Sequence, residues 1–579
     1  VVLFNKKLIN TKGEVMDLNG SQMVIEALRR ENVSVVFGYP GGAIMNVYDE
    51  VYKQDFFEHI LTRHEQAAIH AADGYARASG DVGVAFVTSG PGFTNAVTGL
   101  ANAYIDSIPM VVISGQVPIT MIGTDAFQEI DAVGISRPCV KHNYLVKNAK
   151  DLPRILKEAF YIARSGRPGP VHVDIPKDVT AQVAKFSYPE KITMRTYKPT
   201  YKGNSRQIKK VVEAIKNSNR PILYLGGGIV NSGASELVRE FAKITGIPAV
   251  ETLMARGVMG DKNPLLMGMV GMHGCYSANM AMSEADLMIA FGSRFDDRVT
   301  GKLSEFAKHA KVIHVDIDPS SIGKIVDIDF PIVGDLKNVL GDMLPLVTEK
   351  VKPEKYQSWR DLLKRYDEIH PLNFSDDKGN IKPQWVIQRV GETLGEKAII
   401  STDVGQHQMW TAQFYPFDRP RQFITSGGLG TMGFGFPAAI GAKKAKPEKI
   451  SINITGDGSI LMNIQELMTA YESKIPVINI VLNNGYLGMV RQWQTFFYDK
   501  RYASTDLSQA QPDFVKLAES FGGLGFRVET KKEFDEALKK AVDSNVVCMI
   551  DVNVDRLEDV LPMVPAGGTL YNMILEYKG

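Results

Sequence analysis

Short apolar, β-branched runs alternate along this chain with longer stretches in which apolar residues recur every three or four positions. A short run with no polar face fits a strand of a parallel sheet covered on both sides. The longer amphipathic stretches fit the helices that cover it. The runs fall into three sets. VSVVF (33–37), VGVAFVT (82–88), IPMVVIS (108–114) and GPVHVDIP (169–176) make the first. PILYLGGG (221–228), ADLMIAFGS (285–293), KVIHVDID (311–318) and FPIVGD (330–335) make the second. AIISTDVG (398–405), KISINITGDGS (449–459), IPVINIVLNNG (475–485) and VVCMIDVNV (546–554) make the third.

Two polar tracts separate the sets: YPEKITMRTYKPTYKGNSRQ (188–207) reads as a linker, and VTEKVKPEKYQSW (347–359) as a second boundary. The pattern predicts three α/β domains, over residues 17–185, 200–345 and 385–560, with a tail over 561–579. A chain of 579 residues is too long for one core in any case. The first and third domains share no visible sequence similarity, which leaves a shared fold open.

Composition removes several classes of function. With 66 basic against 65 acidic residues and no basic tract, nothing attracts nucleic acid or an anionic membrane. No apolar run nears the roughly 20 residues a membrane helix needs. The opening VVLFNKKLINTKGE has too short an apolar stretch for a secretory signal. It also lacks Met, so earlier processing or a removed transit peptide stays open. Cys139, Cys275 and Cys548 have neither metal-ligand spacing nor a disulfide framework, as in a protein of a reducing compartment.

The chemistry starts at SINITGDGSILMNIQELMTAYESKIPVINIVLNNGYLG (451–488). One strand ends at Gly456-Asp457-Gly458 and the next at Asn483-Asn484-Gly485, with a helix expected to start near Asn463, capped reciprocally with Glu466. In such a βαβ unit both strand tips leave the same sheet edge, where ligands of open α/β sheets bind. Asp457, the Asn484 amide and the Tyr486 carbonyl then offer only oxygen. With phosphate oxygens added, that set suits Mg²⁺. Gly456 and Gly458 let backbone approach a diphosphate, and Ser459 adds a donor. Either tripeptide alone is an ordinary turn; the pair, each directly after a strand, points to a metal-bound diphosphate.

A second element lies in HILTRHEQAAIHAADGYARASG (59–80), where Glu65 opens an Ala-rich helix. A Glu there also complements a helix dipole. The Gly-containing loops YPGG (39–42), TSGPGFTNAVTG (88–99) and GTDAFQE (123–129) follow strands as well and point to the same edge.

Together RHEQAAIHAADGYAR, SGPGFTNAVTGLANAYIDSIPMVVISGQ, GTDAFQE, KHNYLV, RPGPVHVDIPKDV, GLGTMGFGFPAAIGA, GDGSILMNIQEL and NNGYLGMVRQWQ resemble the catalytic subunit of the acetohydroxyacid synthase (acetolactate synthase) family, from about residue 17 to residue 575. The resemblance implies three doubly wound domains: pyrimidine-binding, central FAD-binding and diphosphate-binding. It implies thiamine diphosphate, Mg²⁺ and FAD as cofactors, FAD without net redox role. The expected reaction is decarboxylation of pyruvate on thiamine diphosphate, then condensation of the resulting enamine with pyruvate or 2-ketobutyrate. The expected products are 2-acetolactate and 2-aceto-2-hydroxybutyrate, at the first common step of branched-chain amino-acid biosynthesis.

Residue roles carry over from the matched motifs. Glu65 is the carboxylate at the aminopyrimidine ring, Gln128 borders the substrate-derived adduct, and Lys177 stands at the site mouth. Tyr39, Pro40, Gly41, Gly42, Thr88, Pro91 and Asn95 serve one end of thiamine diphosphate. Val404, Gly405, Gln406, His407, Gly430, Met432, Gly456, Gly458, Ser459, Leu487, Gly488, Met489 and Val490 serve the rest, with Met432 beneath the bent cofactor. Asp457, Asn484 and Tyr486 hold the metal. Phe127, Arg298 and Trp493 meet substrate, Arg298 through a carboxylate and Trp493 by favouring 2-ketobutyrate.

For FAD the matched positions are Arg167, Gly226, Gly227, Gly228, Thr252, Leu253, Met272, His273, Gly292, Arg294, Asp296, Arg298 and Val299, followed by Asp316, Ile317, Gly334, Asp335, Gln406, Gly427 and Gly428. Read without the family, GGG is a loop, Lys177 a solvated strand-end charge and Met432 plain packing. Phe93 and Ser293 depart from the commoner residues at their positions.

The resemblance further implies a homodimer or higher homo-oligomer with the active site at the interface, and raises the question of a regulatory small subunit. The expected location is cytoplasmic in a bacterium, plastid or mitochondrion in a eukaryote. RFDDRVTG argues against the FAD-free catabolic synthases, and Glu65 against glyoxylate carboligase. GTDAFQE and RQWQ favour the synthase over pyruvate oxidase, the nearest rival. The full set Glu65, Gln128, Lys177, Asp457 and Asn484 argues against an inactive nucleotide-binding paralogue.

Overall fold

The computed structural model describes residues 16–376 and 379–576. The opening VVLFNKKLINTKGE and the last three residues of the tail lie outside them. The chain divides into two compact units. One comprises the residues up to Asp73 with Val82–Thr196; the other comprises Gly74–Asp81 with everything from Tyr197 on.

The first unit is built on a six-stranded sheet in the order Glu58–Leu61, Val35–Gly38, Gly83–Val87, Met110–Gln116, Pro170–Pro176, His142–Leu145. Every pair in it is parallel. Met110–Gln116 and Pro170–Pro176 are buried along their whole length, as the unbroken apolar runs require. Helix Pro91–Ile105 carries Pro at its first position, where no N–H is needed. A short antiparallel pair, Met16–Asn19 with Val183–Phe186, stands beside the sheet. Asn19 then starts helix Gly20–Arg30 with a full capping box to Gln22.

The second unit holds two further parallel sheets. One runs Leu266–Met269, Ala249–Glu251, Pro221–Leu225, Leu287–Phe291, Lys311–Asp316, Phe330–Val333. Numbered along the chain this is 3-2-1-4-5-6, the order of dinucleotide-binding folds. The other runs Phe423–Ile424, Ala398–Thr402, Ile450–Gly456, Val477–Asn483, Cys548–Asn553, Leu524–Val528. Its order, 2-1-3-4-6-5, is that of the sheet in the first unit. Leu223, Ile289, Phe241 and Phe291 lie in one core, and Ile452, Ile480, Ile550 and Trp410 in another.

The tract 347–359, expected as a domain boundary, is mostly helical. Helix Leu336–Lys350 runs into it and helix Gln357–Ile369 out of it. Buried Tyr356 donates to Ile215 O at 2.7 Å and Trp359 Nε1 to Pro221 O at 3.0 Å. Those two aromatic side chains tie the tract to the 3-2-1-4-5-6 sheet. The tail does likewise: Val564 N donates to Met272 O at 2.8 Å and Lys302 N to Gly568 O at 2.9 Å.

Candidate active site

Where neighbouring strands of a doubly wound sheet connect in opposite directions, a crevice opens at their carboxyl ends. In the 2-1-3-4-6-5 sheet of the second unit that point lies between Ala398–Thr402 and Ile450–Gly456. Asp457 follows at once and is buried. Gly456 pairs with Leu482, so Asn483 and Asn484 leave the next strand at the same level. Burial, aided by the Asp551 carboxylate, pushes the Asp457 carboxyl up to about 7, and Gln511 Nε2 donates to it. A carboxylate so placed gains most from a bound cation.

Asn484 is also buried. Its Oδ1 accepts from Tyr486 N at 3.0 Å, and its Nδ2 donates to Gln406 Oε1 at 3.3 Å. Tyr486 bridges to Asp506, but the ladder bonds run from Leu487 N to Thr505 O and from Leu507 N to Gly485 O. The Tyr486 carbonyl takes no part in that pairing. Among the described residues no three His, Cys, Asp or Glu cluster as metal ligands. The donors here are one carboxylate, one amide and one peptide oxygen, which fit Mg²⁺ completed by phosphate.

The walls also fit a phosphate. His407 is buried and kept neutral, its pKa pressed down by burial to about 3, and its Nε2 has no partner. A Cβ on Gly456 would stand 3.1 Å from that ring, and one on Gly458 2.7 Å from Leu487. Ser459 Oγ lies 3.4 Å from Val404 O, beside Gly405. Helix Gly488–Phe497 begins close by with Met489 and exposed Val490; Trp493 follows half-buried, 5.2 Å from Phe497. Gly427, Gly428, Gly430 and half-buried Met432 lie in the loop before helix Gly435–Ala445.

The cap expected at Asn463 does not form. The chain enters helix Asp457–Ile460 directly after the strand, and the Asn463 side chain donates to Gly433 O at 2.7 Å instead. Three neighbours were not singled out from the sequence, although Asp403 stands in AIISTDVG and Gln492 in RQWQ. Asp403 accepts from Gly435 N and Thr455 Oγ1, Gln511 reaches Asp457 from an irregular segment, and Gln492 pairs with both N and O of Val560.

In the first unit the matching crevice lies between Val35–Gly38 and Gly83–Val87. Glu65 is the first residue of helix Glu65–Ser79, and its Oε2 accepts from Asn95 Nδ2 at 2.9 Å. Thr88 Oγ1 is buried without a partner. A Cβ on Gly41, next to Tyr39, Pro40 and Gly42, would lie 2.5 Å from the Thr88 side chain. Pro91 starts the following helix. Phe127 and Gln128 sit on the loop after Met110–Gln116, drawn in by Glu129, which accepts from Thr124 N and Ala126 N. Phe127 is 87% exposed and Gln128 adopts φ 59°. Exposed Lys177 follows Pro170–Pro176. These loops all leave the carboxyl edge. Arg167 does not: it precedes Pro170–Pro176 at the opposite edge, where its Nε donates to Ser107 Oγ at 2.7 Å. Phe93 is buried and stacks on His172 at 4.4 Å.

The 3-2-1-4-5-6 sheet reverses between Pro221–Leu225 and Leu287–Phe291. Gly226 N donates to Phe291 O and Gly228 N to Gly292 O, both at 2.9 Å. Gly292 has φ 59°, and a Cβ there would stand 2.7 Å from Gly228 Cα. Gly227 lies between those contacts. Thr252 and Leu253, Met272 and His273, Arg294 to Val299, Asp316 and Ile317, and Gly334 and Asp335 follow the strands of this sheet at the same edge. Asp296 caps Arg298 N, Asp316 accepts from Asp318 N, and Asp335 from Asn338 N. Ser293 O lies 3.0 Å from His314 Nε2. The Arg298 side chain is 60% exposed. The crevice thus fits a dinucleotide such as FAD.

Comparison with known proteins agrees with this division. Residues 18–135 match the family "Thiamine pyrophosphate enzyme, N-terminal TPP binding domain", 208–343 the central domain and 403–552 the C-terminal TPP binding domain. The acetolactate synthase large subunit of Haemophilus influenzae is 50% identical, over 96% of this chain and 98% of that protein. The isozyme 3 large subunit of Escherichia coli is 47% identical over 96% and 98%. A probable large subunit of Methanocaldococcus jannaschii is 49% identical over 96% and 95%.

Proposed function

Since the chain belongs to the acetolactate synthase large-subunit family of thiamine diphosphate enzymes, we propose that it decarboxylates pyruvate and joins the remaining two-carbon unit to a second 2-keto acid. Pyruvate as acceptor gives 2-acetolactate, and 2-ketobutyrate gives 2-aceto-2-hydroxybutyrate, the first common step of branched-chain amino-acid biosynthesis. When bound, thiamine diphosphate supplies a nucleophilic ring carbon and an electron sink. One observation carries the reading: Asn95 holds Glu65 at one crevice, while Asp457, Asn484 and the Tyr486 carbonyl offer oxygens at another of the same topology.

Asp457, Asn484 and the Tyr486 carbonyl would hold Mg²⁺, which would neutralise the diphosphate. Glu65 would hold the mobile proton at Oε1, since Asn95 occupies Oε2, and would serve the aminopyrimidine from there. Gln128 and Phe127 border the substrate, and Lys177 keeps positive charge at the mouth. The Arg298 guanidinium receives the carboxylate of the second substrate, and Trp493 packs on its extra methyl. The 3-2-1-4-5-6 crevice would hold FAD, which would serve there without net redox change. Two copies would complete each site, with Glu65 of the partner subunit serving the cofactor whose diphosphate Asp457 would help to hold. A regulatory small subunit joins the assembly, as the name "large subunit" carried by its relatives supports. Those relatives are bacterial and archaeal, which supports a place in the cytoplasm.

The test is acetolactate output from pyruvate with thiamine diphosphate, Mg²⁺ and FAD each omitted in turn. Output that depends on the first two is expected. Flavin bleaching by pyruvate without acetolactate would overturn the reading in favour of an oxidase.

A further inference from the structure

Resting on the cation site just described, we propose that Gln492 is a positioning residue for it: through Gln406, Gln492 fixes which atom of the Asn484 amide faces the cation. The two ends of an amide have nearly the same shape, but only the oxygen can ligate a hard cation. A turned Asn484 would present an NH₂ group.

The partners of each amide leave one consistent arrangement. Asn484 Nδ2 donates to Gln406 Oε1 at 3.3 Å, which requires Gln406 to present its oxygen. Gln406 Nε2 has both hydrogens placed, on Gln492 Oε1 at 2.9 Å and Glu558 O at 3.0 Å. Gln492 is set in turn by backbone: Val560 N donates to its Oε1 at 2.8 Å, and its Nε2 donates to Val560 O at 3.0 Å. Main chain cannot exchange donor for acceptor. The orientation therefore passes from Val560 and Glu558 through two side chains to Asn484.

Burial keeps the relay from being bypassed. Asn484 is 7% exposed, Gln406 3%, Gln492 0% and Val560 0%, so water has little room to replace a lost partner. The relay also lies directly on the start of helix Gly488–Phe497. A Cβ on Gly488 would stand 2.1 Å from Gln406 Oε1 and 2.8 Å from Asn484 Nδ2. The bond from Tyr486 N to Asn484 Oδ1 demands the same orientation from the other side. Both amide hydrogens of Gln406, a side chain expected against both cofactors, are given to the protein.

The experiment measures Mn²⁺ binding, in place of Mg²⁺, to the full chain with thiamine diphosphate present, by paramagnetic resonance of free Mn²⁺. Gln492→Met is expected to weaken binding about 10- to 100-fold, the usual loss when an outer hydrogen-bond partner of a ligand is removed. The decisive arm adds the same change to Asn484→Asp. With two oxygens at position 484, orientation carries no information, and Gln492 holds the Gln406 oxygen against it. There Gln492→Met should cost nothing or tighten binding. Should Gln492→Met fail to fold by circular dichroism, Gln406→Met reads the same step with the Gln492–Val560 pairing intact. An equal loss in both backgrounds, or no loss in the parent, overturns the proposal. Wild-type Mn²⁺ binding by Asp457→Ala would instead overturn the cation site beneath it.

Discussion

Replacing Glu65 by Gln separates two roles that one carboxylate at a helix start can play. As a partner of the helix dipole it contributes about 0.3–1 kcal/mol to stability. The side chain of Gln can still accept from Asn95 Nδ2, so the 2.9 Å bond survives and only the charge is lost. The thermal midpoint should move by a few degrees at most. Catalysis responds on another scale. The amide puts an NH₂ where Oε1 stood, and that group can donate but cannot exchange a proton. Loss of a positioned acid–base group costs about 10²- to 10⁴-fold in rate, or about 2.7–5.5 kcal/mol of barrier. Cofactor affinity changes less, by one hydrogen bond of about 0.5–1.5 kcal/mol. The assay is steady-state acetolactate formation at saturating thiamine diphosphate and Mg²⁺, beside a calorimetric scan. A rate within tenfold of the parent would refute the assignment and leave Glu65 a helix-start residue.

Trp493→Leu should shift the ratio of the two products away from 2-aceto-2-hydroxybutyrate by about 10- to 200-fold, the worth of one methylene contact, when pyruvate and 2-ketobutyrate compete. Gly292→Ala should abolish flavin retention, since the new Cβ meets Gly228 Cα at 2.7 Å from a backbone already at φ 59°; purified protein with full flavin absorbance would contradict this. Asp174 is raised by burial to about 7, against hydrogen bonds from Ser114 and Gln116 that favour its charged form. A carboxyl raised on folding stabilises fully below its unfolded pKa, and that stabilisation is lost as pH rises through about 7. The thermal midpoint of the parent should therefore fall between about pH 4 and pH 7 more than that of Asp174→Asn; parallel curves would exclude it.

The legible parts of the fold were those where burial is two-sided. All twelve apolar runs contain strands, a strand before Glu65 was legible as well, and the strands missed were mostly sheet edges: His142–Leu145, Leu266–Met269, Phe423–Ile424 and Leu524–Val528. An edge strand is covered less and needs no continuous β-branched run, so little marks it. Ala249–Glu251, next to an edge, is only three residues long. The helices of the boundary tract 347–359 leave little trace in the sequence because its polar residues lie on exposed faces while Tyr356 and Trp359 face inward. Of the candidate site, the strand-end residues Asp457, Asn484 and Glu65 were readable because topology alone sends strand tips to one edge. Gln511, Gln492 and Val560 were not. They act through tertiary hydrogen bonds, which neither period nor motif records, even for Gln492 inside the matched RQWQ. Arg167 was matched by motif, yet the structure puts it at the edge opposite Glu65.

The backbone bonds at Glu558 and Val560 also set an order in time. A ribosome releases the chain from its amino end, so the strands bearing Asp457 and Asn484 emerge before the residues that settle the Gln406 and Gln492 amides. A chain halted between the two has the bond from Tyr486 N to Asn484 Oδ1 within its reach but not the relay that sets the amide through Gln406. The hold on that amide through Gln406 is therefore complete only once residue 560 has been made and has docked.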